Sequence, residues 1–234
     1  MLGPKIFINY AEDVSEIFSQ HDLSHHLFAD DMQCLCYGKP AEVPYIVKRI
    51  ENCVTHVCTW CAAKRLQLNA DKTEILWFGS AVNLRKLSAY ELNIRVGQSV
   101  VKPVTTVRNL GVLIDGELSM RDHISRLAQT CFFHLRRLRS VRVRRQLGQD
   151  VTKRLVCALV LSRLHYCNVI LAGLSASTLA PLQRVLRVAA RVVLDLKPLP
   201  RDHISCALRE LHWLPISERI VYKLCFLAHH HRYE

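Results

Sequence analysis

The chain changes its hydrophobic period once, near residues 116–119, and this limits what it can fold into more than any other feature. Before that point, short β-prone runs surround one long helical pattern. After it, apolar residues recur at helical spacing almost to the end. The chain therefore reads as α+β: a unit over 1–118 with a helix packed on antiparallel strands, then an all-α bundle over 119–234. At 234 residues, each part is long enough to bury a core.

Within the first part, Leu27 to Tyr37 reads as strand, turn, strand, ended by Gly38-Lys39-Pro40. Val43, Val47, Ile50, Val54, Val57 and Cys61 then form one apolar face of a helix that Pro40 and Pro44 suit at its start. A turn leads into a strand over Thr73–Phe78, and Leu92–Val104 suggests a hairpin around Gly97-Gln98. Val107–Asp115 reads as a further strand, in which Gly111 marks a bulge or a close backbone approach.

The second part opens at Ser119, with Asp122 three residues on, in the manner of a capping box. Met120, Ile124, Leu127, Cys131, Leu135 and Leu138 continue at helical spacing. Further helices are expected over about 150–171, from Ser177 with Leu179, Leu182, Leu186, Ala189 and Val193 inward to a stop at Pro198 and Pro200, and over about 203–211 and 216–230. His229, His230 and His231 read as a frayed tail, and Trp60, Trp77 and Trp213 as core rather than base-stacking platforms. Leu155 to Leu174 is long enough to span a bilayer, but Arg163, His165 and Asn168 interrupt it, so a buried helix is expected and no membrane partner.

The formal charge is +12, from 32 Lys and Arg against 20 Asp and Glu. The stretch Arg121–Arg154 holds ten of those cations and only Asp122 and Asp150 in opposition, which favours a polyanionic partner such as nucleic acid over a merely solvated helix face. The N-terminal MLGPKIFINYAED does not read as a signal peptide, so the ten cysteines are expected reduced, inside the cell, in nucleus or cytoplasm. Cys58 and Cys61 form a C-x-x-C, but no second such pair exists and both lie on the apolar helix face, so burial is expected rather than zinc.

The adjacent Asp30 and Asp31 carry the chemistry of interest. Two carboxylates at a hairpin tip repel one another. Two explanations stay open from the residues alone: a polar β-turn, in which Asp is favoured, or a site relieved by Mg²⁺, which takes carboxylate and phosphate oxygens.

The wider context bears on that choice. Phe28-Ala29-Asp30-Asp31, then a helix, then Leu68-Asn69-Ala70-Asp71-Lys72-Thr73-Glu74, then Asn109-Leu110-Gly111-Val112, resembles in order and spacing the later palm motifs of reverse transcriptases. The similarity is to the non-LTR, LINE-type (jockey-like) retrotransposon enzymes, and Leu211–Ile220, LHWLPISERI, resembles a segment downstream of their thumb.

The resemblance implies a partial polymerase palm followed by a thumb-like bundle and its extension. It implies RNA-directed DNA polymerase chemistry, with Mg²⁺, or Mn²⁺ in its place, held by Asp30 and Asp31. Lys72 would protonate the leaving pyrophosphate, against the alternative of a surface lysine in a turn. Gly111 would lie in the hairpin that grips the primer, and Arg136, Arg137, Arg139 and Arg142 would face the phosphates of an RNA template and DNA primer.

Leu2-Gly3-Pro4 resembles the tail of the family's PQG-x-x-LGP segment. The fingers, the first palm strand with the third metal-binding aspartate, and the nucleotide-contacting Gln-Gly are then expected to be missing. Neither Asp13 nor Asp22 is promoted in its place. An uncovered sheet edge follows, and with it a need for an upstream polymerase fragment as partner. The expected functions are therefore a truncated polymerase of weak or no activity and binding deoxynucleotides only if active, a non-catalytic basic nucleic-acid-binding remnant, or a non-functional translated piece of a mobile element. No endonuclease segment is recognisable.

Overall fold

The structure is a computed structural model that describes residues 3–87, 90–140, 147–196 and 204–232. It divides into two compact units, residues 1–107 with 115–118, and residues 108–114 with 119–234.

The first unit opens with two short helices, α1 (Gly3–Ala11) and α2 (Val14–Gln20), before the strands β1 (Ser24–Phe28) and β2 (Asp31–Leu35). These strands pair antiparallel, from Ser24 opposite Leu35 to Phe28 opposite Asp31. The long helix α3 (Val43–Ala63) follows and packs against α2. Val14, Phe18, Leu23, Cys53, Val57 and Cys61 form the core, with Leu27 and Met32 of the hairpin packed against it.

The buried stripe of α3 differs in phase from the sequence expectation. Val43, Val57 and Cys61 are buried as expected, but Ile46 and Cys53 are buried where Val47 and Val54 were expected, and those two valines are half-buried. Both phases are compatible with a 3.6-residue period, and the partners decide between them. Ile46 reaches under Gly38, where an added Cβ would lie 2.7 Å from its Cδ1.

The remaining strands make no common sheet among the described residues. β3 (Ile94–Val96) and β4 (Ser99–Val101) form a hairpin across Gly97, and β5 (Thr106–Asn109) pairs with β6 (Val112–Asp115). The single layer expected from the sequence is thus three two-stranded hairpins. Among the described residues, α1 and α2 occupy the chain before β1, and no strand joins β1–β2 to the others.

Thr73–Phe78, expected as a strand, forms one parallel bridge, Ile75 with Pro103, because its neighbours offer isolated bonds instead of a ladder. The Val104 N–H donates to the Ile75 carbonyl at 2.9 Å, and the Gly79 N–H donates to the Gly116 carbonyl at 2.9 Å. The short helix α4 (Ala81–Lys86), capped by Ser80 Oγ accepting from the Asn83 N–H at 3.3 Å, was not anticipated.

Val107–Asp115 is likewise not one strand with a bulge. Leu110 and Gly111 both have positive φ, 44° and 87°, and form the two-residue tip of a hairpin. Two successive left-handed residues match the right-handed twist of the flanking strands.

The second unit is built on α5 (Arg121–Arg139) and α8 (Ala176–Leu194). Between them in the chain lie α6 (Gln149–Val156), a π-helical segment Cys157–Leu161 and the short α7 (Ser162–His165). After α8 come α9 (Ile204–Glu210) and α10 (Ile216–Arg232). The expected helix over 150–171 therefore ends early: the π segment resets its phase so that Val160 and Leu161 are both buried, and Cys167 turns left-handed at φ 49°.

The α5 stripe is buried through Ile124, Cys131, Leu135 and Leu138, with Leu127 half-buried. Met120 stands at the N-cap in the left-handed region, and Ser119 Oγ accepts from the Arg121 N–H at 3.4 Å. His229, His230 and His231 lie within α10 rather than in a frayed tail. Pro198 and Pro200 lie outside the described residues; α8 ends at Leu194, with Asp195 left-handed. Trp213 is buried, whereas Trp60 and Trp77 are half-buried. Among the described residues, no helix is long and apolar enough to cross a membrane.

Four helices stop in the same way. After α2, α3, α8 and α9 the chain turns left-handed at Asp22, Arg65, Asp195 and His212. The next residue, Leu23, Leu66, Leu196 or Trp213, donates its N–H five residues back, to Phe18, Cys61, Arg191 or Leu208. This is the Schellman arrangement, with an apolar residue at its last position.

Two polar contacts tie the β5–β6 hairpin tip into its unit. The Tyr166 hydroxyl donates to the Leu110 carbonyl at 2.6 Å, and the Leu113 N–H donates to Nδ1 of buried His123 at 3.3 Å. Tyr166→Phe should lower stability by about 0.5–1.5 kcal/mol, the net worth of one hydrogen bond, and Gly111→Ala by about 1–2 kcal/mol of left-handed strain. Urea unfolding of the full chain measures both.

Burial pushes the His123 ring below its ordinary proton affinity, and burial is also the leading cause of the same shift at His21, His134 and His165. A lowered folded-state pKa means that the unfolded chain takes up protons first. The stabilisation is present above the ordinary histidine value of 6.5 and is lost as pH falls through the folded values. Urea midpoints should fall as pH drops from 7.5 to 5.5, and His123→Gln should reduce that slope.

Candidate active site and nucleic-acid interface

The β1–β2 hairpin places the two aspartates by local pairing. Phe28 and Asp31 are the last paired residues, so Ala29 and Asp30 alone make the loop. Inward-facing Leu27 and Met32 sit directly opposite each other one step below the tip. Their burial fixes the register and leaves Asp30 and Asp31 exposed. Ala29 has φ 53°, a left-handed conformation in which a Cβ is strained. That strain lies in the residue beside the carboxylate pair.

The stretch Leu68–Glu74 has a different logic. Asn69 Oδ1 accepts from the N–H groups of Asp71, 3.0 Å, and Lys72, 3.3 Å. The Thr73 hydroxyl donates back to the Asn69 carbonyl at 2.9 Å. Asn69 and Thr73 thus close one 3₁₀ turn, Ala70–Lys72, that holds Lys72 outward at its end. No ion pair joins Lys72 to Asp30 or Asp31 among the described residues.

The two aspartates earlier in the chain are paired elsewhere. Asp13 pairs with Lys64 Nζ at 2.9 Å, and that bond holds its carboxyl below the usual range. Asp22 pairs with Arg49 Nη1 at 3.2 Å. Among the described residues, no group of three or more His, Cys, Asp and Glu side chains is arranged to hold a metal ion. Asp30 and Asp31 are hard oxygen donors of the type Mg²⁺ prefers, but two carboxylates fall short of a two-ion centre. The C-x-x-C does not fill the gap: Cys61 is buried, its thiol pushed up by that burial, and Cys58 is half-buried.

In the helical unit, Arg136, Arg137 and Arg139 occupy the last turn of α5, all exposed, where their charges also suit the helix dipole. Arg142 lies outside the described residues. The Arg137 guanidinium stands over the half-exposed Phe133 ring, 5.6 Å from its centroid. Gly111, the remaining expected contact, sits at the β5–β6 tip, where an added Cβ would lie 3.6 Å from Tyr166 Cε1.

Residues 1–114, just under half the chain, match the family model of the reverse transcriptases (RNA-dependent DNA polymerases). The matched span contains the Asp30–Asp31 hairpin and the Asn69–Thr73 turn, and it ends within β6. No curated protein and no solved structure matches the chain.

Ala29→Gly should remove the strain at the tip and stabilise the chain by up to about 1 kcal/mol. A urea midpoint that falls in this variant would show that the left-handed Ala29 carries no cost.

Proposed function

We propose that this chain is the later palm, over 1–118, and the thumb, over 119–234, of an RNA-directed DNA polymerase of the non-LTR retrotransposon type. The family match across residues 1–114 carries the reading. The motif order from Phe28 to Val112, with LHWLPISERI at Leu211–Ile220, supports the non-LTR type. The corresponding reaction adds deoxynucleotides to a primer 3′-hydroxyl on an RNA template, and Mg²⁺ or Mn²⁺ supplies the charge stabilisation for that chemistry. Asp30 and Asp31 are the ligands for the ion, Lys72 the group facing leaving pyrophosphate, and Gly111, Arg136, Arg137, Arg139 and Arg142 the contacts to template and primer.

The absence of a third carboxylate at the tip among the described residues favours a second reading for the chain by itself. It binds primer–template through its basic helices, with weak or no nucleotidyl transfer unless residues outside this sequence supply a third ligand. Its setting is intracellular, in nucleus or cytoplasm.

Primer extension on an RNA template with Mg²⁺ tests the catalytic part. Extension by the wild type that disappears in Asp30→Asn establishes polymerase chemistry and a third ligand. No extension from folded protein leaves binding as the function. Neutralising Arg136, Arg137 and Arg139 to Gln should then weaken binding and flatten the plot of log K against log salt by about 0.9 for each phosphate no longer neutralised. An unchanged slope rules out the α5 end as the interface.

A further inference from the structure

Helix α10 is anchored at its start and bare beyond it. Ile216, Arg219 and Ile220 are buried. The Ile216 N–H donates to Gln183 Oε1 of α8 at 2.9 Å, and Asn168 Nδ2 donates to the Arg219 carbonyl at 3.5 Å. From Val221 to Arg232, every residue except half-buried Lys223 is exposed. Val221 is 57% exposed and Tyr222 61%. The face of a helix that meets only solvent ordinarily carries polar residues at such positions.

The exposed side has an order. Glu218, Val221, Tyr222, Cys225, His229 and Arg232 recur at spacings of three and four, which lines them along one side of α10, opposite buried Ile216 and Ile220. The aromatic ring beside them, Phe226, is engaged within its own helix. Lys223 Nζ stands 5.3 Å from its centroid, and the His230 ring meets it edge-on at 6.2 Å.

Charge on this side is divided between its ends. Glu218 lies near the start and Arg232 at the end, each seven residues from Cys225. Ser217 Oγ donates to Glu218 Oε2 at 2.9 Å. Among the described residues, neither Glu218 nor Arg232 is in an ion pair of its own chain.

Such a face complements a copy of itself in one direction only. Two parallel copies set Glu218 against Glu218 and Arg232 against Arg232. Two antiparallel copies centred on Cys225 set Glu218 of each against Arg232 of the other, because the two are equidistant from the centre. Val221 and Tyr222 then fill the space between the ion pairs, and Cys225 meets its own copy on the twofold axis. The whole chain carries +12, which opposes association of copies at long range, so a face of balanced charge is where two copies can meet.

We propose that the outer face of α10 is a self-association surface that pairs two copies of this chain as an antiparallel twofold dimer centred on Cys225. From Glu218 to Arg232 the contact is about 21 Å long. One helix pair of that length is a small interface of the transient class, so the dimer forms with rising concentration. Such pairing needs no nucleic acid and is independent of the polymerase chemistry above.

Sedimentation velocity of the full chain at pH 8, where histidine is ordinarily neutral, tests it. The wild type should pass from monomer to dimer as concentration rises. Val221→Asp should stay monomeric with an unchanged circular dichroism spectrum. Glu218→Arg or Arg232→Glu alone should weaken the dimer about tenfold, since two ion pairs become two like-charge contacts. An equimolar mixture of those two variants should associate again, because each supplies the charge the other lacks, and a folding defect does not produce that restoration. Diamide should link the wild type into a disulfide dimer on a non-reducing gel, and Cys225→Ser should abolish the link, because facing cysteines on two helices in contact fall within disulfide reach.

A chain that is monomeric at every concentration, a mixture that associates no better than its components, or a cross-link that survives Cys225→Ser overturns the proposal. Recruitment of the monomer to phosphatidylserine vesicles that Val221→Asp abolishes also overturns it, by making a lipid surface the occupant.

Discussion

The helical unit depends on the packing of α5 against α8. Cys131, Leu135, Val185, Leu186, Ala189 and Ala190 are each no more than 1% exposed. Both helices put large and small apolar residues into this core, Leu135 and Cys131 on α5, Leu186 and Ala189 on α8, and such mixed sizes fill it at high density. Truncating Leu135 or Leu186 to Ala in such an environment costs about 2–5 kcal/mol, comparable with the margin that keeps a domain folded. The same packing sets the rotation of α5. With Leu135 and Leu138 turned inward, Arg136, Arg137 and Arg139 fall on the exposed face of the helix, Arg137 beside the Phe133 ring. The position of the basic surface is therefore a consequence of the core.

In the first unit the corresponding constraint is the register of β1 with β2. Leu27 opposite Met32 buries one face, so a slip by one residue would turn both outward and move the aspartates off the tip. The cost is taken at Ala29, where glycine is the usual residue for that conformation. Asn69 performs a comparable service for Lys72 by capping its turn. The polar residues around these motifs thus have local structural roles independent of any ligand, and those roles alone account for much of the residue pattern.

Element type was legible wherever the apolar period was long. The stripes Ile124–Leu138 and Leu179–Val193 appeared in the structure because burial of one face is the only way a long amphipathic helix is stabilised. Helix ends were less legible. Four stops use Asp22, Arg65, Asp195 and His212 in a conformation normally betrayed by glycine, and the stopping bond is made by the apolar residue that follows. The strand over Thr73–Phe78 failed for a different reason: β-prone residues make a strand only where a neighbour supplies a ladder. Val107–Asp115 showed the limit of period counting, since a two-residue hairpin tip at Leu110-Gly111 leaves the alternation on either side undisturbed.

The sequence by itself determined the net charge, the concentration of arginines near the end of α5, the adjacency of Asp30 and Asp31 and the order of the motifs around them. All are properties of local composition and spacing. Only the tertiary structure decided which phase of α3 is buried, that Asp13 and Asp22 are engaged by Lys64 and Arg49, and that the Tyr166 hydroxyl donates to the Leu110 carbonyl. Each is a relation between residues distant in the chain. It is fixed by how side-chain volumes and charges fit when helices pack, and no one-dimensional pattern records that fit.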